Sequence, residues 1–382
     1  MSERVVIVGA GIAGLATAIG LHQRGYDVTV LERRTDTSAG AGISIWPNAL
    51  AALDQLGVGN RVRDAGGRVT AGAVRWRNGT WLRRPTGERF IRALGESLVV
   101  IQRSALRDLL TDALPTGTIE NGITASGVTR RADTLQVRLS DTSVCDASAV
   151  IGADGTHSLI ARHLNGPLTN RYVGYTSWRG IARHTLDPQL AGQTLGPGVE
   201  TGHVPMGEGL TYWFATERAP EGHRADHGEL QYLQRKLARW AEPMPSLLAA
   251  TEEHDVLRDD LYDRQPAKRW SQGPIVLVGD AAHPMRPHLG QGGCQAIEDA
   301  ALLAAFASRT PDLPTAFADF TAFRRRRIAR LVRESAVIGT LVNLRPTALS
   351  IAASYATTLI PERALNSHMA SVAGQTAFTQ PV

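Results

Sequence analysis

The sequence predicts an α/β protein: a parallel-sheet domain, a mixed β-sheet lobe inserted into it, and helices at the C-terminal end. Three observations predict this. A β-branched strand runs straight into a glycine-punctuated helix start at residues 4–24. A second buried strand leads into another glycine-rich helix start at 275–305. Between them, residues 166–269 carry strand-like aromatic stretches joined by glycine turns. The 382 residues are 43% hydrophobic and 20% charged, which suits a large core that needs no covalent staples.

Arg4–Val8 (RVVIV) suits a strand buried on both faces of a parallel sheet. Gly9-Ala-Gly11-Ile-Ala-Gly14 follows, then a helical stretch to Arg24, a terminating Gly25, and a second strand Asp27–Leu31 closed by Glu32. This is a βαβ unit with the dinucleotide fingerprint in register. Gly9 permits the tight turn, Gly11 lets backbone approach a pyrophosphate, and Gly14 lets helix and strand pack closely. The helix start then offers unpaired N–H groups and a positive dipole end. Glu32 sits where an acid can accept ribose hydroxyls. The motif itself does not separate FAD from NAD. Next, Ala39–Leu50 (AGAGISIWPNAL) places Gly40 and Gly42 where backbone passes close to a neighbour.

Two later stretches decide between the ligands. Val150–Arg162 (VIGADGTHSLIAR) is a strand, an Asp154-Gly155 turn and a helix. Ile275–Ala301 (IVLVGDAAHPMRPHLGQGGCQAIEDAA) delivers Gly279-Asp280 at the carboxyl end of a strand, where ligands bind in open α/β sheets. Pro284 and Pro287 stiffen the next loop, and Gly290-Gln-Gly292-Gly293 opens a helix running from Cys294 through Ala305. One cofactor site reached from both ends of the chain suits the longer FAD better than NAD.

These three motifs, in this order, resemble those of class A flavoprotein monooxygenases, the p-hydroxybenzoate hydroxylase-like family. Ser-Ile-Trp-Pro-Asn (44–48), Arg103 within IQRSAL, and Gly290-Gln-Gly-Gly-Cys294 are most similar to the branch holding zeaxanthin epoxidase, salicylate hydroxylase and urate hydroxylase. The resemblance spans about residues 4–335. It implies a Rossmann-like FAD-binding domain of the GR2 type, made of 1–70, 98–165 and 270–335, and a substrate-binding sheet domain of 71–97 and 166–269. Residues 336–382 form a C-terminal helical segment broken by Pro346 and Pro361. In the implied site Glu32 binds the adenosine ribose and Arg103 the pyrophosphate region. Asp154 and Asp280 meet pyrophosphate and ribityl groups, and Gly292, Gly293 and Cys294 lie against the pyrimidine side of the flavin. Gly9, Gly11, Ile12, Ala13, Gly14, Arg33, Gly42, Ile43, Gly155, Gly279, Pro287 and Gly290 complete the cofactor set.

The implied chemistry is reduction of FAD by NADPH or NADH, then transfer of one oxygen atom of O2 to a small aromatic or polyketide-like substrate through a flavin C4a-hydroperoxide. The family carries no second dinucleotide fold, and the one other GxG near a helix, Gly57-Val-Gly59, follows a helix rather than a strand. Epoxidation and tetracycline-type antibiotic inactivation use the same reagent, and a flavin-bound binding protein without turnover is the rival from another class.

Arg171–Ile181, Glu200–Met206 and Leu210–Ala215 read as strands of a sheet across the flavin, the last two joined at Gly207-Glu-Gly209. Tyr175, Trp178, Arg179, His203, Tyr212 and Trp213 are its inward candidates, with Pro287 and His288 from the flavin loop. Matched without gaps to urate hydroxylase, Tyr212 coincides with a tyrosine of that enzyme's substrate site. That enzyme's substrate-binding arginine falls on Glu200, which points away from urate.

Other signals lead elsewhere. The net charge of +5, from 41 basic and 36 acidic residues, is mild and argues against a nucleic-acid surface. Cys145 and Cys294 make no disulfide scaffold and no zinc pair, so a reducing cytoplasm is expected. Gly222 and Gly228 argue against a helix that would turn His223 and His227 into metal ligands, and no metal is expected. No stretch reaches the roughly 18–20 unbroken apolar residues of a membrane span; 335–360 comes nearest but is interrupted by Asn343, Arg345 and Pro346. Arg324–Arg327 with Arg330 and Arg333 read as the solvated basic face of a packed helix. His283 fits the cofactor motif without a catalytic role. A monomer or a dimer is expected.

Overall fold

The computed structural model describes residues 3–35, 40–84, 87–132, 134–342, 344 and 346–378. Its central six-stranded sheet runs, edge to edge, Ser271–Gln272, Ile275–Leu277, Ala149–Gly152, Arg4–Val8, Asp27–Glu32 and Ile119–Asn121. All neighbours are parallel except the short 271–272 strand. Register is what builds the site. Val8 lies opposite both Gly152 and Leu31, and Gly152 lies opposite Leu277. Four strands therefore end level, and the turns at Gly9, Glu32, Ala153 and Gly279 emerge side by side at their carboxyl ends.

The helix Ile12–His22 is buried along nearly its whole length. It packs against the helix Gly292–Ala307 so closely that a Cβ on Gly20 would stand 2.8 Å from the Ala304 methyl. A three-stranded antiparallel sheet (Ala125–Arg131, Thr134–Leu139, Val144–Ala147) flanks this unit. A smaller one joins Gly42–Ile45, Leu98–Gln102 and Gly67–Val69.

The second large sheet has seven strands in the order Leu257–Asp263, Arg171–Ala182, Leu210–Glu217, Val199–Gly207, Gly192–Gly196, Ala73–Trp76 and Trp81–Arg83. The pairing of 192–196 with 73–76 is parallel, so the sheet is mixed. Gly207, Glu208 and Gly209 all take positive φ in the turn between two of its strands. One face of the sheet is covered by the helices Glu229–Leu237 and Met244–Ala249, with Trp178, Trp213, Leu233, Leu237 and Trp240 in one apolar cluster. The other face packs on the small sheet of Gly42–Ile45, Leu98–Gln102 and Gly67–Val69.

The helix Leu313–Val342 runs unbroken through residue 335, where the sequence suggests a boundary. Helices Thr347–Ala356 and Glu362–Ala373 start directly after Pro346 and Pro361, as fixed proline φ favours at a helix entrance. Arg324 is 1% exposed, not part of a solvated face. It is drawn inward by two carboxylates of the neighbouring helix, pairing with Glu298 at 2.7 Å and Asp299 at 2.8 Å.

Candidate active site

The first and second motifs line one cleft of about 520 Å³, with Gly9, Gly11, Ile12, Glu32, Arg33, Arg103, Asp154 and Gly155 in its wall. Each glycine has a distinct cause. Gly9 has φ +106°, and a Cβ there would stand 2.6 Å from the carbonyl of Ala153. A Cβ on Gly14 would run into the Gly9 carbonyl, while one on Gly11 would meet nothing within 4 Å. Gly9 and Gly14 are thus fixed by packing, and Gly11 leaves the backbone open to a ligand. Glu32 accepts the Ala10 N–H at 2.8 Å and the Arg34 N–H at 2.9 Å, which ties the acid to the glycine loop.

Asp154 accepts the Leu159 N–H at 2.6 Å through Oδ2, while its buried Oδ1 has no partner among the described residues. Burial pushes this carboxyl above its ordinary range, with Ser158 and the helix N–H groups pulling back. Ser158 caps the helix Leu159–Asn165 by accepting the Ala161 N–H at 2.8 Å. Arg103 faces the cleft yet is walled by protein. Desolvation lowers its guanidinium pKa, against the pull of nearby Asp280.

The third motif adjoins the first. A Cβ on Gly279 would stand 2.9 Å from the Ala13 methyl, so exposed Asp280 emerges beside the glycine loop. Arg264, 5% exposed, was not singled out by the sequence. It donates to the carbonyls of Thr156 (2.9 Å), Asp280 (2.9 Å) and Ala281 (2.7 Å), clamping the second and third corners together. No local pattern around it signals this, because every partner is far away or on another loop.

The helix start at 290–293 lies on the strand Gly42–Ile45: a Cβ on Gly293 would meet Ile43 Cδ1 at 2.8 Å. Cys294 is fully buried, with Sγ 3.4 Å from the Ser44 carbonyl and receiving the Trp46 N–H at 3.5 Å. Burial pushes its thiol up to about 12, which removes it as a nucleophile. Behind the loop, Asp299 accepts the Gly279 N–H at 2.8 Å and contacts His283 Nε2 at 2.6 Å while pairing with Arg324. Glu298 holds Asn48 at 2.6 Å and Arg327 at 3.1 Å.

The candidate substrate residues divide by strand parity. His203 lies opposite Trp213, and Trp213 opposite Gly180. His203, Trp213 and Trp178 therefore share the helix-covered face and point away from the 287–293 corner, contrary to the inward expectation. Trp213 donates to Thr251 Oγ1 at 2.9 Å and Trp178 to Glu229 at 2.7 Å, as buried indoles require. Tyr175, Arg179, Glu200 and Tyr212 occupy the opposite face. Gly42 abuts the Tyr212 ring, where a Cβ would stand 2.5 Å from Cγ. Burial pushes the Tyr212 phenol up to about 12, with Arg179 and Arg103 opposing the shift. Arg179 pairs with Asp259. Pro287 is exposed on the loop, and His288 contacts Tyr175 Oη at 2.7 Å.

Level strand ends, two packed glycines, one open glycine and an unpartnered carboxylate oxygen make a cradle that fits an adenine dinucleotide. A second sheet faces the far corner of that cradle, where a flavin ring would meet substrate. Comparison with known proteins identifies the class: the chain is an FAD-dependent monooxygenase of the aromatic hydroxylase type. Residues 2–308 match the FAD binding domain family, and the chain belongs to it. It is 37% identical over 339 residues to aurachin C monooxygenase/isomerase of Stigmatella aurantiaca, covering 88% of each chain. It is 31% identical over 338 residues to FAD-dependent urate hydroxylase of Klebsiella pneumoniae, covering 86% of this chain and 88% of that one. The crystal structure of Klebsiella pneumoniae HpxO complexed with FAD and uric acid superposes with a TM-score of 0.91 at 28% identity, over 97% of this chain and 96% of the other. Among the described residues no helix is long and apolar enough to cross a membrane.

Proposed function

We propose that the protein takes electrons from NADPH or NADH and inserts one oxygen atom of O2 into a small aromatic or polyketide-like substrate held between the seven-stranded sheet and the 287–294 corner. The observation that carries this reading is the convergence of three distant glycine corners on one cradle, with a buried-aromatic sheet facing its end. When bound, FAD supplies the electron storage and the oxygen activation.

The protein's own residues do the rest. The open N–H groups after Gly11 and the N-terminus of helix Ile12–His22 hold the pyrophosphate, and Glu32 receives the ribose hydroxyls. Arg103 and Asp154 line the diphosphate path, and Asp280 receives the polyol chain. The N–H groups of Gly292 and Gly293, at the start of a 16-residue helix, would favour negative charge on a flavin held there. Tyr212 and Arg179 form the sheet side of the pocket, and the Pro287 loop closes the other. Reduced, buried cysteines fit action in the cytoplasm.

The test is direct. Purified protein should be yellow with bound FAD and should oxidise NADPH or NADH faster in the presence of its substrate, giving a product heavier by one oxygen atom. Failure to take up flavin, or no stimulation across a broad aromatic panel, would refute it. A product lighter by two hydrogens would show dehydrogenation instead.

A further inference from the structure

Glu200 is the group at the domain junction that the cofactor cradle does not explain. It lies opposite Thr216, and Tyr212 lies opposite Val204; alternation along paired strands puts Glu200 and Tyr212 on the same face of the sheet. The Glu200 side chain is 5% exposed. Its Oε1 accepts from Gln193 Nε2 at 2.9 Å. Its Oε2 accepts no hydrogen bond among the described residues, and His288 Nδ1 stands 3.5 Å from it. His288 in turn contacts Tyr175 Oη through Nε2 at 2.7 Å.

Three elements close around this chain of groups. The sheet supplies Glu200 and Tyr175, the 287–289 turn supplies His288, and helix Leu313–Val342 supplies Gly339. A Cβ on Gly339 would stand 2.5 Å from His288 Nε2 and 2.8 Å from Tyr175 Oη, so this helix passes too close for any side chain. Burial pushes the Tyr175 phenol up to about 12, so it remains a donor at neutral pH and occupies the Nε2 side of the imidazole. The nearby guanidinium of Arg286 is engaged by Asp263, at 2.9 Å from Nε, and by the Tyr175 hydroxyl. A buried carboxylate oxygen whose one near donor, His288 Nδ1, stands off at 3.5 Å is incompletely satisfied, and its second lone pair is open to a ligand that donates.

We propose that Glu200 selects the polar end of the substrate: its Oε2 accepts a hydrogen bond from an N–H or O–H of an uncharged aromatic molecule, and its charge excludes aryl carboxylates. His288 and Tyr175 act as positioning residues that hold the carboxylate edge toward the pocket. The proposal rests on the monooxygenase reading above, which sets the flavin ring against Gly292–Cys294, four residues beyond His288.

The experiment is a binding titration of the FAD-loaded protein, followed by flavin absorbance and fluorescence, with 2-naphthol and 2-naphthoate as ring-matched probes. Wild type should bind 2-naphthol about a hundredfold more tightly than 2-naphthoate. Glu200→Gln should narrow the ratio to within about tenfold by removing repulsion while keeping an acceptor, and Glu200→Arg should reverse it. Naphthoate binding as well as naphthol to wild type, failure of naphthol to bind, or a ratio unmoved in both variants would overturn the assignment. Flavin content of each variant reports an intact cofactor site. A protein that turns over its substrate while the ratio stays fixed loses only this assignment; one that takes up no flavin loses the functional reading and this one with it.

Discussion

Acidification tests where His203 sits. The ring is 1% exposed on the helix-covered face of the seven-stranded sheet, with the Leu190 backbone as its one opposing polar influence on the pKa. Burial first, and the nearby Arg75 guanidinium second, pull its pKa from 6.5 down to about 3. The folded protein therefore refuses a proton that the unfolded chain accepts. Stability from this group is complete above pH 6.5 and is lost as the pH falls from there toward about 3, at about 1.4 kcal/mol per pH unit. Between pH 7 and pH 5 the loss is about 2 kcal/mol. Urea unfolding of the FAD-loaded protein and of His203→Gln, at both pH values, isolates it: the wild type should lose about 2 kcal/mol more than the variant over that interval. Because the ring points away from the cradle, the variant should keep its flavin and its turnover. Equal pH dependence in the two proteins would refute the burial argument, and loss of substrate binding with flavin retained would return His203 to the pocket.

Asp280→Ala should fold normally, since this side chain is exposed, yet bind FAD roughly 10- to 100-fold more weakly by losing a charged acceptor, read by flavin released on gel filtration; full retention would remove Asp280 from the site. Arg324→Met should lower stability by about 3–5 kcal/mol because buried Asp299 loses its guanidinium and Glu298 keeps only the half-buried Arg327, measured by denaturant unfolding at neutral pH. Gly42→Ala should cost about 1–3 kcal/mol and displace the Tyr212 ring, read as a lower thermal midpoint and an altered Tyr212 environment; an unchanged midpoint would show that the junction yields freely.

What is legible in the sequence is what the backbone must do. Gly9, Gly14 and Gly279 stand where a Cβ would strike the chain or a neighbouring methyl, so their spacing survives as a readable pattern. Gly40 and Gly42, read only as a close approach, turn out to face the Arg103 and Tyr212 side chains. The side of the sheet on which a residue falls is less legible. Leu210–Ala215 (LTYWFA) is aromatic on both faces, so alternation cannot tell Tyr212 from Trp213. Only the covering helices at 229–249 decide that Trp213 belongs to the core and Tyr212 to the junction.

Long-range charge pairing is the least legible of all. Nothing within Arg324–Arg327 distinguishes Arg324 from its exposed neighbours Arg325 and Arg326; Glu298 and Asp299, on another helix, make the choice. Yet this pairing governs the readable part. Asp299 holds the Gly279 N–H and His283 on one side and Arg324 on the other, so the turn that presents Asp280 is braced from behind by ions that a ligand never touches. Glu298 extends the brace to Asn48, beside the strand that meets Tyr212. The glycines therefore set how closely a cofactor approaches, and the buried ion network sets how firmly the loop is held when it does. A chain with the three motifs intact but an uncharged residue at 324 would still be recognisable by pattern, and its 279–290 loop would lack the support that keeps Asp280 in place.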